Sequence, residues 1–415
     1  MRALLARAGF RRLWLSHVVS TFGDSLTALA LLLTAQRLTG STAAVATTAI
    51  AIALPQLLFG LFSGVLVDRW DRRRIMVFSD LVRAGLVLGF IAITSADLMW
   101  LLYLIAFIQA TVGTLDNPAR AAVLPQMVRE STDGNQQAAG SDLLAANSLF
   151  QSSAIVAGVL GTGTAGLVAG LAATMTPLFV LDAVTYVISS ILVARLLVQK
   201  TVGTASGQPA SRIWLELRSG LRLVTSSRSL RTVLVGAGVV MLGLGAVNVL
   251  LVPFIVDDLA VPETWFGLLE AAQVSSMVLA GLLVAALSKR LRPGALLPTG
   301  LAGIAVFVAS MSLASNVWHL IGLLFAVGWF VSPTQGAVSA IIQSEVPTES
   351  LGRASASLGT VITTAQVVSM ALSGVAAELF GLRTVFVIAG VITFLAAAVT
   401  YQGQRMSKVP VPSPS

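Results

Sequence analysis

Asp24, Asp116, Arg120, Asp182 and Glu270 each stand inside a long apolar stretch of the sequence. An ionisable group at mid-depth in hydrocarbon costs about 3 kcal/mol or more on insertion scales, so each of these needs a partner or a use. A lone carboxyl suits proton uptake and release, because it alternates between a neutral form and an anion. Asp24 fits that description. It lies twelve residues beyond Arg12 with no basic residue near it in sequence. That is about 18 Å along a helix, close to the middle of a hydrocarbon core about 30 Å thick.

Asp116 and Arg120 are four residues apart, so on a helix they share a face and form an ion pair. Such a pair could be purely structural, could open and close during proton transfer, or could offer Arg120 to an anionic substrate. Pro118 between them loosens the helix. Asp182, with Tyr186 one turn on, and Glu270, with Gln273 three residues later, are further candidates for a protonation or substrate site. Asp80 and Arg83 read as a local structural pair near a helix end.

Other chemistries find no residues to carry them. The chain has no cysteine, which excludes disulfides and thiolate metal sites. Its two histidines, His17 and His319, are far apart in sequence and fall near expected helix ends, so no metal or other cofactor is expected. There is no Gly-Lys-Ser/Thr phosphate loop and no nucleophile elbow. The expectation is a protein that is not an enzyme and takes its energy from an ion gradient or from its substrate's own gradient.

The elements that hold these residues follow from composition. Of 415 residues, 56% are hydrophobic and only 11% charged, against about 25% charged in soluble domains, and the mean hydropathy is +0.89. Lipid must solvate much of this chain. Apolar runs of about 20 residues predict an all-α integral membrane protein. The twelve expected helices are roughly 12–37, 42–67, 75–95, 98–127, 138–166, 171–195, 230–255, 263–287, 295–314, 317–343, 353–377 and 382–402. A β-barrel would need alternating strands of about ten residues.

The net charge of +8 does not indicate nucleic acid, because the basic residues sit between apolar spans rather than on one face. With the N-terminus inside, 22 of the 26 Lys and Arg residues fall in inner loops and tails. Only Arg37 and Arg383 lie outside, and Arg83 and Arg120 lie in the membrane. The positive-inside bias therefore places both termini in the cytoplasm and requires an even number of spans.

The organisation is six plus six. The expected segments are an N-terminal bundle over 1–197, a cytoplasmic linker over 198–229, a C-terminal bundle over 230–402 and a tail over 403–415. In the linker, Trp214, Leu217, Leu221 and Val224 recur at helical spacing opposite Arg212, Arg218 and Arg222, which reads as a basic amphipathic helix on the inner leaflet. The halves echo each other. Gly64 matches Gly281, 217 positions on, and Asn117-Pro118 matches Ser332-Pro333, 215 positions on. Internal repeats of this kind mark transporters, with the substrate site near the midplane.

Between the second and third helices the chain reads Gly64-Val-Leu-Val-Asp68-Arg69-Trp-Asp71-Arg72-Arg73-Arg74. This resembles the signature loop of the major facilitator superfamily, and the 6+6 pattern extends the resemblance over the whole chain. Gly23-Asp24, Asp116-Asn-Pro-Ala-Arg120 with Leu124-Pro125-Gln126, and Ala145-Ala146-Asn147-Ser148-Leu149 resemble the macrolide-type drug exporters and the enterobactin exporter. Where drug/proton antiporters carry a Gly-Pro pair in helix 5, this chain has Gly158-Val-Leu-Gly161-Thr-Gly163 and no proline.

The resemblance implies a gating latch built from Gly64, Asp68, Arg69, Arg72 and Arg73, with Arg72 and Arg73 bridging to acids such as Glu130 or Asp142. It also implies a cavity lined by helices 1, 4, 7 and 10. On those helices stand Asp24, Asn117, Asn248 and Gln335, among otherwise apolar residues. The implied activity is export of a lipophilic or amphipathic, drug-like compound by proton antiport with alternating access, in a bacterial inner membrane. The same fold also suits a specific lipid, siderophore or metabolite carrier, running inward or without proton coupling. The expected partners are protons, a small lipophilic substrate and membrane lipid, without nucleic acid, and the expected working unit is a monomer.

Overall fold

The computed structural model describes residues 2–129, 136–197, 218–225, 227–286, 293–347 and 350–406. The described residues form helices joined by short connections, with no strand among them. Backbone N–H and C=O groups have no water to bond in hydrocarbon, so each span must satisfy its own backbone. Twelve helical stretches among the described residues are long and apolar enough to cross a membrane.

In chain order the helices are α1 (Arg2–Ala6), α2 (Ala8–Thr39), α3 (Thr42–Arg69), α4 (Arg72–Gly89), α5 (Met99–Gly113), α6 (Asp116–Arg129), α7 (Gln136–Leu171) and α8 (Thr176–Ala194). The short α9 (218–225) follows. Then come α10 (Arg228–Pro253), α11 (Phe266–Ala286), α12 (Pro293–Ser310), α13 (Val317–Glu345), α14 (Leu351–Phe380) and α15 (Leu382–Met406).

Helix ends follow local chemistry. Gly40 takes the left-handed conformation at φ +61° and closes α2 by donating its N–H to the Gln36 carbonyl. Asp71 caps α4, its Oδ1 accepting from the backbone N–H of Arg73 at 3.0 Å and of Arg74 at 3.2 Å. The expected fourth helix is not continuous. It breaks at 114–115 into α5 and α6, which puts Asp116 in the first turn of α6, where an anion is favoured.

The chain forms two compact units. Unit 1 comprises Met1–Gly40, Ala51–Pro209 and the short segment Glu263–Gly267. Its α2 packs along both α7 and α8, and α4 packs along α8. Phe10, Leu13, Val123, Met127 and Val193 form its apolar core at one end. Arg37 closes the unit elsewhere. It pairs with both oxygens of Glu263 and donates to the Ala169 carbonyl at 2.5 Å.

Unit 2 comprises Ser41–Ile50, Ala210–Pro262 and Leu268–Ser415. Here α12 lies between α15 and α13, and α10 packs on α14 and α15. Asp258 accepts from Arg383 at 2.7 Å, and Ser41 donates to Glu378 at 2.8 Å. The described part of the linker helix, α9, does not simply lie on a lipid surface. Val224 is buried in a core with Leu230, Ile341 and Leu358. A Cβ on Gly220 would come within 2.5 Å of the Arg353 carbonyl oxygen, so only a glycine allows this approach to α14. Trp214, Leu217 and the rest of the linker lie outside the described residues.

Candidate functional site

Polar side chains from four helices of unit 1 meet around one cavity of about 450 Å³. From α2 come His17, Ser20, Thr21 and Asp24; from α4, Arg83; from α6, Asp116, Asn117 and Arg120; from α7, Asn147 and Gln151, with the Phe150 ring beside them. The expected lining on this side was sparse in polar groups. The observed wall is polar, because α4 and α7 contribute as well as α2 and α6.

Asp24 is the half-exposed member of an ion pair with Arg83, its side chain 40% exposed against 9% for the arginine. Asp24 Oδ1 accepts from both Arg83 Nη2 and the Tyr186 hydroxyl. Its Oδ2 accepts none of the described hydrogen bonds. The guanidinium of Arg83 lies over the Tyr186 ring, 4.4 Å from the centroid, a cation–π arrangement that favours a desolvated cation. Gln109 donates to the same hydroxyl at 3.3 Å.

Arg83 therefore corrects one expectation. It pairs with Asp24, not Asp80, and it lies eleven residues beyond the start of α4, not near that helix end. Asp80 is buried and accepts from Ser189 at 2.6 Å through Oδ2, while its Oδ1 has no partner.

Asp116 and Arg120 pair as their spacing requires, Nη2 donating to the two carboxylate oxygens at 2.9 and 2.7 Å. Arg120 Nη1 reaches α2 through the Ser16 hydroxyl at 3.2 Å and the Leu13 carbonyl at 3.4 Å. The pair thus ties the broken fourth span to α2. Both groups border the cavity.

Asp182 is wholly buried behind this wall. Thr27 donates to its Oδ2 at 2.5 Å and Thr185 to its Oδ1 at 3.1 Å. No cation among the described residues pairs with it. Tyr186, expected beside it, turns to Asp24 instead. Gly23 makes this packing possible, since a Cβ there would fall 2.0 Å from the Thr185 hydroxyl and 2.1 Å from Asp182 Oδ1.

His17, to which the sequence assigned nothing, lines the cavity. Its ring stacks on Phe150 at 5.1 Å, and its Nδ1 lies 3.4 Å from the Thr21 hydroxyl. The helix begins at Ala8 rather than near residue 12, so His17 sits further inside the span than the sequence suggested. Glu270 and Gln273 are half-buried on α11, and Asn248 and Gln335 are exposed on α10 and α13. These four belong to unit 2, and none borders the unit 1 cavity.

Two members of the expected latch have described contacts. Arg73 donates to the Ala194 carbonyl at the end of α8. Asp142 pairs with Arg7 at 3.3 Å, not with Arg72 or Arg73. Arg69 is exposed and Arg72 half-buried. Gly64 has open space about its α-carbon. Glu130, the Asp68 side chain and the second loop copy at 288–292 lie outside the described residues.

Known proteins of similar sequence and fold cover nearly the whole chain. A family described as transmembrane secretion effectors matches residues 2–410. Macrolide efflux protein A of Streptococcus pyogenes is 23% identical over 394 residues, 94% of each chain. The MFS-type transporter YfiS of Bacillus subtilis is 26% identical over 411 residues, 96% of this chain and 94% of that one. The crystal structure of the nucleoside transporter NupG superposes with a TM-score of 0.77 at 13% identity, over 95% of this chain and 99% of that one. That likeness concerns the fold alone. With twelve candidate spans among its described residues and a family match over nearly its whole length, the chain is a multi-pass membrane transporter and not an enzyme, and it belongs to the major facilitator superfamily, in the family of transmembrane secretion effectors.

Proposed function

We propose that this transporter exports an amphipathic, drug-like compound in exchange for protons, in a bacterial cytoplasmic membrane with both termini inside. The observation that carries the reading is the placement of Asp24. One carboxylate oxygen is fixed by Arg83 and Tyr186, while the side chain remains 40% exposed at a cavity wall. A group that takes up and releases protons must keep such access, and a group that couples them to conformation must also be tied to the protein.

Asp116, Arg120 and Asp182 are the supporting acid and base groups on the same side, and Glu270 is the candidate in unit 2. Export is favoured by the likeness to macrolide efflux protein A. The polar wall of His17, Asn117, Asn147 and Gln151, with Phe150 and Leu124 beside it, suits a cargo with a hydrogen-bonding head on an oily body. The loop at Asp68–Arg74 is the proposed gate. Coupling needs no second chain, so the proposed working unit is a monomer in lipid.

The test is transport in inverted membrane vesicles under an imposed pH gradient, with a fluorescent lipophilic dye as cargo. Wild type should accumulate the dye when the lumen is acid, and Asp24→Asn should lose the dependence on the gradient. Gradient-driven accumulation that persists unchanged in Asp24→Asn, Asp116→Asn and Glu270→Gln would end the proton-antiport reading.

A further inference from the structure

Two helices of unit 1 carry a ladder of which the transport reading uses only one end. On α4, Asp80 and Arg83 are three residues apart and share a face. On α8, Ser189 and Tyr186 have the same spacing. Ser189 holds Asp80, and Tyr186 lies under Arg83. The Tyr186 end of the ladder meets Asp24 of α2, which completes an ion pair. At the Ser189 end, the second oxygen of Asp80 has no hydrogen-bond partner among the described residues although Asp80 is 1% exposed. The Nε of Arg83 is likewise buried without an acceptor. A donor and an acceptor one helical turn apart, both desolvated and both unused, are costly unless another arrangement brings them together.

We propose that Arg83 exchanges counter-ions, leaving Asp24 for Asp80 when Asp24 takes a proton from the cavity. The proton binds the open oxygen of Asp24. The guanidinium loses its anion there, slides along the Tyr186 face and donates to Asp80 Oδ1, while Ser189 keeps hold of Oδ2. The reverse path follows when Asp24 releases its proton. No covalent bond changes except that of the transferred proton, and Arg83 keeps its charge throughout. Arg83 and Asp80 are positioning residues in this scheme. The exchange carries the protonation of a cavity carboxyl into the α4–α8 contact, where helices can shift.

Other groups face the same space and contribute to its field: His17 from α2, Asp116 and Arg120 from α6, and Asp182 from α8. A variant at Asp80 acts on Asp24 through two routes, directly through space or by way of Arg83. The exchange requires the second.

The inference rests on the reading that Asp24 is the proton-accepting group, and its test needs no cargo. Infrared difference spectra of the purified full chain are recorded as a function of pH, and the carboxyl band that Asp24→Asn removes is followed. In Asp80→Asn, with no alternative anion for Arg83, the pH at which that band titrates should move by about one unit or more. In an Arg83→Gln background, where only the direct route remains, the same Asp80→Asn substitution should move it by less than half as much. Arg83→Lys keeps the charge but lacks the side-on Nε donor and should give less than half of the wild-type shift. It serves as the test background where Arg83→Gln does not fold. An equal shift in the wild-type, Arg83→Gln and Arg83→Lys backgrounds, or no shift in any, overturns the exchange while leaving Asp24 as the coupling group. Absence of a titrating Asp24 band in wild type overturns both.

Discussion

The glycines Gly158 and Gly161 of α7 make a paired test of how Asp24 is held in place. Gly161 faces α2. A Cβ built on it would lie 2.5 Å from the Phe22 carbonyl oxygen and 2.8 Å from the Ser25 Cβ. Carbon and carbonyl oxygen normally meet at about 3.3 Å, so α7 would have to retreat by about 0.8 Å. Neither partner is a flexible side-chain tip, and Phe22 and Ser25 flank Asp24. Gly158 lies one turn away, and its nearest neighbour would be the Ser25 hydroxyl at an ordinary 3.6 Å. Alanine at either site gains about 0.5–1 kcal/mol of helix propensity over glycine. That gain cancels in the comparison, so the difference between Gly158→Ala and Gly161→Ala isolates the clash.

Overpacking of this kind costs about 1–3 kcal/mol. Each kcal/mol shifts the melting temperature by about 3 °C for a unit of roughly 200 residues. Thermal melts of the purified variants in one detergent should therefore place Gly161→Ala several degrees below Gly158→Ala, with Gly158→Ala at or above wild type. Gly161→Ala should also lose pH-dependent transport, because the turn that carries Asp24 moves with α2. Equal melting temperatures for the two variants would refute the close α2–α7 approach.

Arg120→Ala should destabilise by about 3–5 kcal/mol, because it strands the Asp116 carboxylate without its cation. Arg120→Gln combined with Asp116→Asn should recover most of that loss in the same melt, and a double variant as weak as the single one would contradict the pairing argument. Asp71→Ala removes the cap of α4 and should cost about 1 kcal/mol, a fall of about 3 °C. Asp71→Asn, which still accepts from the two backbone N–H groups, should melt close to wild type. Gly23→Ala should drive Thr185 and Asp182 apart, since the added carbon overlaps both. The infrared carboxyl band that Asp182→Asn removes should then shift, and a band that stays in place would show that Asp182 does not touch this glycine.

The spans and the Asp116–Arg120 pair could be read from sequence because both depend on short-range periodicity. An apolar run of about 20 residues has one good solution in lipid, and a spacing of four places two side chains together on any helix. The break at 114–115 and the partner of Arg83 obey no such rule. Asp80 lies three residues from Arg83 and looks the natural partner, yet the guanidinium turns toward α2. Tyr186, 103 positions away, supplies the aromatic face that holds it there. Asp142 likewise had a plausible basic loop to meet, but α1 and α2 bring Arg7 beside it first. In each case the deciding contact joins helices far apart in sequence, and a hydropathy pattern carries no record of which faces meet.

Glycines come nearest to recording it. Gly-Val-Leu-Gly-Thr-Gly replaces the proline-bearing pattern of drug/proton antiporters with residues that let α7 touch the α2 backbone, beside the acid on which transport is proposed to turn. Small residues drive helix association in lipid because packing, not exclusion from water, is the available force. A span rich in closely spaced glycines therefore marks where two helices can approach closely, which a charge count does not record. Here it marks Gly161 against Phe22–Ser25, with Asp24 between them.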